Sequence, residues 1–188
     1  MIFVTVGTNP TMHFDRLLNP MDELAASLDE QVILQTGCST FVPQHAEHFT
    51  FTTSDHIETL NKSARIIISH AAAGSVITAL SRRKPVLVVP RRHHLNEHID
   101  DHQLELARAL AEEQRAVVVY DPTVESLRQA IELVTDQRTT PSGADPLMKA
   151  LRQQLDGWRR DQTVQMNSAQ VNPAQVNPAQ VNSTQRKP

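Results

Sequence analysis

Five short apolar runs, rich in β-branched residues and with little polar alternation, punctuate the chain between Met1 and Val134: IFVTV (Ile2–Val6), QVILQT (Gln31–Thr36), RIIIS (Arg65–Ser69), PVLVVP ending at Pro90, and AVVVY (Ala116–Tyr120). Runs of this kind are strands covered on both faces, as in a parallel sheet. A sixth, shorter strand is expected at Phe49–Thr53. Between the runs the apolar positions recur every three or four residues, the mark of amphipathic helices. Phe14, Leu17, Leu18, Met21, Leu24, Ala25 and Leu28 form one such stripe, with Pro20 announcing a kink or a late start. Ser54 or Asp55 caps a helix running to Ala64. Leu104, Ala107, Leu110 and Ala111 place a helix over Asp101–Glu113, and Asp121, Pro122 and Thr123 start another that ends at Val134. Strand and helix in alternation, with short connections, imply an α/β fold: a Rossmann-like, mostly parallel sheet with helices on both faces.

The stretch from Arg65 to Gln103 organises the rest. Its first strand ends at His70 and passes into Ala71, Ala72, Ala73 and Gly74, where no side chain exceeds a methyl group and a ligand can approach the backbone. Ser75 then stands at the start of a helix whose free N–H groups and positive dipole end favour an anion, so phosphate is the expected guest. The second strand of the stretch ends in a loop carrying Arg91, Arg92, His93, His94, Asn96, Glu97 and His98. Ligands of open α/β sheets bind outside the carboxyl ends of the strands, where both polar loops fall. Neither G-x-G-x-x-G nor G-x-x-x-x-G-K-[ST] is present, so neither dinucleotide nor P-loop binding follows.

Beyond Val134 the pattern changes. The sequence assigns 1–135 to the Rossmann-like domain, 136–145 to a polar linker with Pro141, Ser142 and Gly143, and 146–160 to a C-terminal docking helix striped by Leu147, Leu151, Leu155 and Trp158. In 161–188 the tandem SAQVN, PAQVN, PAQVN has one Val per repeat, too little to build a core, so a disordered tail is expected.

Composition removes several classes of function. A net charge of −3, from 18 basic and 21 acidic residues interspersed, offers no general nucleic-acid surface. Five Phe, one Tyr and one Trp argue against a base-stacking platform. The single Cys38 excludes an internal disulfide and fits a reducing cytosol. The first apolar run is too short for a signal peptide, and no stretch approaches the ~20 apolar residues of a membrane span. A soluble cytoplasmic chain is expected, reaching a membrane only through a partner.

The segments VTVGTNPTMHFDRL, ISHAAAGS and KPVLVVPRRHHLNEHIDDHQLELA resemble the donor-binding subunit of two-part glycosyltransferases, a group similar to the C-terminal domain of glycosyltransferase family 28. That group includes the cytosolic subunit of the lipid-linked N-acetylglucosamine transferase and bacterial exopolysaccharide glycosyltransferase subunits. The resemblance covers about Met1 to Val134. It implies the donor-binding half of a GT-B fold and a hexosyltransferase subunit that binds a UDP-sugar as donor substrate, with no other cofactor. It also implies a membrane-anchored acceptor-binding partner subunit and a lipid-linked saccharide acceptor in polysaccharide synthesis. With the small-residue turn and the polar loop after the later strand, the candidate binding residues are Gly7, Thr8, His70, Ala73, Gly74, Ser75, Arg91, Glu97, His98 and Gln103. Among these, His70 and Ser75 match the contacts to the diphosphate, and Gln103 matches the contact to donor sugar hydroxyls. Two positions depart from the family pattern. Ala72 replaces the first glycine of H-A-G-A-G-S, which requires a negative φ there or an adjusted turn. Thr78 stands where many relatives carry a ribose-binding acid, with Glu97 as the neighbouring substitute.

Charge suggests the mechanism. Negative charge grows on UDP as its bond to the sugar breaks, and a helix N-terminus with His70, Ser75 and Arg91 stabilises it without a metal. The local candidates for a general base are His98 and Glu97; in two-domain relatives that group lies in the acceptor half. Two readings compete. One is a non-catalytic accessory subunit of a separate transferase. The other is a metal-dependent hydrolase using His94, His98 and His102, whose four-residue spacing aligns them only on a continuous helix. Pro90, Asn96 and Glu97 instead indicate loop before Ile99, so no metal site is expected.

Overall fold

The computed structural model describes residues 1–9, 11–136, 149 and 153. The expected linker, docking helix and repeat tail therefore lie outside the described residues. The described elements up to Asp136 belong to one compact unit, Met1–Arg152.

The elements follow in the order β1 (Ile2–Thr5), α1 (Asp15–Ala25), β2 (Val32–Gln35), β3 (Glu47–Phe49), α2 (Ser54–Ser63), β4 (Ile66–Ser69), α3 (Ala73–Ser81), β5 (Val86–Val88), α4 (His102–Glu112), β6 (Val117–Val118) and α5 (Val124–Asp136). A single 3-10 turn, His93–Leu95, interrupts the loop before α4. Every pairing is parallel, in the spatial order β3-β2-β1-β4-β5-β6. The direction of winding reverses between β1 and β4, where sheets of this order open a crevice for ligands.

Side chains alternate between the two faces of each strand. Ile2, Val4 and Val6 share one face with Ile66, Ile68, Leu87 and Val89, and pack under Leu17, Leu18, Met21 and Leu24 of α1 and Leu127, Ile131 and Val134 of α5. Phe3, Thr5, Ile67 and Ser69 point to the other face, below α2 and α3. Burial on both faces explains why these strands read as unbroken apolar runs.

Four boundaries move from their expected places. Helix α1 begins at Asp15 and runs through Pro20 instead of starting late. Proline's missing N–H would have bonded only to the Arg16 carbonyl, one turn from the helix start, and the apolar stripe outweighs that loss. Strand β3 lies at Glu47–Phe49, earlier than Phe49–Thr53. Helix α2 is capped by Thr53, whose hydroxyl accepts from the His56 N–H. Helix α3 starts at Ala73, which makes Ser75 its third residue.

A buried carboxylate accounts for the shift of β3. Asp22, on α1 and 3% exposed, accepts the backbone N–H groups of Gln44 (2.8 Å), His45 (2.9 Å) and Ala46 (2.9 Å). These bonds hold the chain just ahead of Glu47 against the core. Burial alone would raise the Asp22 pKa, but the three amides, with His45 nearby, bring it below the ordinary value. A lowered folded-state pKa means that the stabilisation is complete above the unfolded-state pKa, about 4, and is lost as pH falls through the folded value. Asp22→Ala strands three donors and should lose about 3 kcal/mol at pH 7. Urea melts should show that gap narrowing below pH ~4; a constant gap down to pH ~2 would refute the charged role.

Candidate functional site

The loops after β1 and β4 meet at the reversal point. Gly7 has φ +79°, and a Cβ there would lie 2.9 Å from both Cε1 and Nε2 of His70. Glycine is thus required twice, for its conformation and for the imidazole packed against it. His70 is 5% exposed and sits 3.1 Å through Nδ1 from the Thr5 carbonyl. A carbonyl only accepts, so Nδ1 carries the proton and the neutral ring presents a lone pair at Nε2. Burial first, and then the neighbouring Arg91 charge, pull its pKa down to about 3.

The turn into α3 resolves the Ala72 departure. Ala72 has φ −76° and ψ 129°, ordinary extended backbone, while Ala71 takes the left-handed conformation at φ 63°. The strained position lies one residue before the replaced glycine, at a buried methyl. No side chain caps α3, and its first regular bond runs from Val76 N–H to the Ala72 carbonyl. The N–H groups of Ala73, Gly74 and Ser75 are therefore left pointing out of the helix.

Beside this end, a groove of about 290 Å³ runs between α2 and α3. Phe3 and Thr5 form its floor; Ser54, Ile57, Glu58 and Asn61 line one wall, and Gly74, Ser75, Thr78 and Arg82 the other. The Thr5 hydroxyl is held by Gln35. Nothing lies within 4 Å of where a Gly74 Cβ would be, so neither packing nor backbone conformation calls for glycine there. Thr78 opens onto the groove at the position of the family's acid, and any contact it makes is that of a neutral hydroxyl.

Three of the expected binding residues serve other ends. The Arg91 guanidinium is 2% exposed and turned inward: Nη2 donates to the carbonyls of Val6 (2.7 Å) and Met12 (3.1 Å), and the group lies 5.2 Å from the Phe14 ring centroid. It ties down both ends of the loop after β1 and does not reach out to a phosphate. Burial draws its pKa to about 10, with Glu97 opposing, so it stays charged at neutral pH. Glu97 accepts from Nε (2.7 Å) and Nη2 (2.8 Å) of Arg16 and from the Arg92 N–H (3.0 Å), which removes it as ribose ligand and as general base. Arg16 further donates to the carbonyls of Tyr120 and Pro90. Gln103, 7% exposed, accepts the Arg91 N–H at 3.1 Å, so what remains for a sugar is its NH2 end.

His98 stays near the surface, its Nδ1 2.9 Å from Asp100 Oδ1, while Asp100 Oδ2 lies 2.7 Å from His102 Nδ1 and holds His102 above its ordinary pKa. The three-histidine register is broken: His94 lies in the 3-10 turn, Asn96 is left-handed, and α4 begins only at His102. Among the described residues no group of three His, Cys, Asp or Glu side chains is placed to hold a metal. Nor is any described helix long and apolar enough to cross a membrane.

The sequence did not reveal Arg16, Thr5, Ser54, Ile57 or Asn61. Arg16 is one charge on the polar flank of an amphipathic helix, and the four groove residues come from β1 and α2, which only folding sets against α3.

Known proteins resemble this chain in sequence and in fold. Residues 1–155 match the glycosyltransferase family 28 C-terminal domain. The human UDP-N-acetylglucosamine transferase subunit ALG13 is 35% identical over 124 residues, 60% of this chain and 10% of that protein. The Cryptococcus neoformans subunit of the same name is 41% identical over 68 residues, covering 35% of this chain and 30% of that one. The chain thus spans about a tenth of the length of the human relative. Among solved structures, the glycotransferase of kitacinnamycin superposes with a TM-score of 0.55 at 18% identity, over 83% of this chain and 39% of its own. Acinetobacter baumannii MurG gives 0.53 at 18% identity, over 81% of this chain and 44% of its own. These two show a shared fold, with this chain equivalent to less than half of each. Because the family match extends over most of the chain and includes both loops at the reversal point, this protein belongs to the glycosyltransferase family 28 C-terminal domain family.

Proposed function

We propose that this chain is the donor-binding subunit of a glycosyltransferase, taking a UDP-sugar and transferring its hexosyl unit to a lipid-linked saccharide acceptor in polysaccharide synthesis. The observation that carries the reading is the uncapped N-terminus of α3 opening onto the groove between α2 and α3. Amides of Ala73, Gly74 and Ser75 receive the diphosphate, and the groove beside Ser75 and Thr78 takes the nucleoside. As the glycosidic bond breaks, the leaving UDP gains charge directly against these fixed donors. Among the described residues lining the groove the one carboxylate is Glu58, and it is engaged by Lys62 and Arg82. Charge neutralisation in this reading is metal-independent. The name of the curated relatives makes UDP-N-acetylglucosamine the first donor to try.

The acceptor half belongs to a second, membrane-associated subunit that recruits this chain to the cytoplasmic face. Two observations support it: the curated relatives carry the name of a transferase subunit, and Val42, Phe51, Leu95 and Ile99 are large apolar side chains left exposed on the connections after β2, β3 and β5. Glu97 is spent on Arg16 and the Arg92 N–H, which leaves His98 as this chain's candidate for general base beside any group that the second subunit supplies.

Titration calorimetry should show UDP-N-acetylglucosamine binding to the isolated chain, with affinity falling about tenfold in Ser75→Ala for loss of one hydroxyl–phosphate bond. No binding of this donor or of UDP would refute the donor role. Robust transfer by the isolated chain would refute the divided site.

A further inference from the structure

We propose that His70 takes up one proton when the diphosphate of a nucleotide sugar enters the cleft, so that donor binding by this chain is proton-linked. The inference rests on the donor-binding reading above and concerns the chemistry of one atom within it.

The geometry fixes the problem that binding must solve. Nδ1–H of His70 is committed to the Thr5 carbonyl, leaving Nε2 a bare acceptor. Among the described residues three buried side-chain atoms are sealed without a partner: Asp15 Oδ1, Ser69 Oγ and Arg91 Nε. His70 Nε2 also has no partner, but it is not among the sealed atoms. It is the polar atom through which a ring that is 5% exposed keeps an opening at the strand end, with Gly7, whose missing Cβ makes room for the imidazole, packed against its inner side. A phosphate oxygen arriving from the α3 end is itself only an acceptor. Two acceptors face each other, and a proton on Nε2 turns that repulsion into a charge-assisted hydrogen bond.

The surroundings make this proton conditional on the ligand. Burial disfavours the imidazolium, and Arg91 from the end of β5 and His98 from the loop before α4 act in the same direction; the Thr5 carbonyl of β1 alone favours it. A nucleotide sugar brings two negative charges, which offset Arg91 and favour the charged ring. Each opposite charge within ~4–6 Å raises such a pKa by about 1–3 units. From a free value of about 3, two charges bring the bound value to about 5–9. The proton comes from solvent on binding and returns to it when the nucleotide leaves.

The sign follows from linkage. Between the free and bound pKa values each binding event consumes a proton, so affinity weakens as pH rises, by up to about tenfold per unit. Above the bound value the dependence vanishes.

The test is calorimetry of UDP-N-acetylglucosamine with the full chain at pH 5.5, repeated in buffers of different ionisation enthalpy. The nucleotide sugar is the right probe because its phosphates are both diesters. Free UDP ends in a group with a pKa near ~6 that would itself titrate. An uptake of about 0.2–1 proton per donor bound is expected, falling to none in His70→Gln. Long-range nitrogen–proton NMR of the wild type should show the Nδ1–H tautomer free and a doubly protonated ring with donor, a readout that needs no variant. Binding without proton uptake, or uptake that persists in His70→Gln, overturns the linkage while leaving the donor role intact. Absence of binding at any pH overturns both.

Discussion

Replacing Arg91 with methionine should lower the unfolding free energy by about 3–5 kcal/mol. The side chain lies under the site and donates to Val6 and Met12, the residues that bracket the loop containing Gly7 and Thr8. Methionine fills most of the volume but leaves both carbonyls buried without a donor, and charged hydrogen bonds of this kind contribute about 1.5–3 kcal/mol each. Lysine should rescue only part of the loss, because an ammonium can donate to the two carbonyls that Nη2 serves but cannot reproduce the planar group lying against Phe14 and Met12 Sδ. Urea denaturation, read as the shift in midpoint at unchanged m-value, measures the loss. A loss under ~1 kcal/mol would place Arg91 among ordinary surface cations and reopen its role as a phosphate ligand.

The second large effect should appear in binding and spare stability. Gly74→Leu is expected to abolish measurable donor affinity, and Gly74→Ala to reduce it about tenfold or more, while both variants fold as well as the parent or better. The position lies in the first turn of α3 with open space where a Cβ would go, and exchanging glycine for a good helix former stabilises by up to ~1 kcal/mol. That same open space is the wall of the groove, where the backbone is read as meeting the diphosphate. Opposite signs in melting temperature and in calorimetric affinity separate this outcome from general damage. Undiminished binding by Gly74→Leu would move the ligand elsewhere.

Much of the fold was legible because it rests on local periodicity. The parallel class follows from strands apolar on both faces, and the helices from stripes such as Leu17, Leu18, Met21 and Leu24. What slipped was set by long-range bonds. The position of β3 depends on Asp22, a residue more than twenty positions earlier, whose carboxylate holds the amides of 44–46. Nothing in the local pattern of 47–53 favours one register over the other.

The candidate site divides in the same way. Contiguous residues carried their meaning in one dimension: the small-residue turn, Ser75 within the first turn of α3, and His70 five positions earlier were recognisable because a strand end and a helix start are built from neighbours. The roles of Arg91 and Glu97 were not. A charged residue on a loop reads alike whether it faces solvent or is drawn inward to carbonyls and a guanidinium, and that choice depends on partners tens of residues away. Folding brought Val6, Met12 and Phe14 beneath Arg91, and Arg16 beside Glu97. By itself the sequence thus determined the α/β class, the family and the anion-favouring turn, all properties of short-range order. Only the tertiary structure decided which polar side chains remain for a ligand and which are consumed in holding the loops, because burying a charge demands a partner and the fold alone selects it.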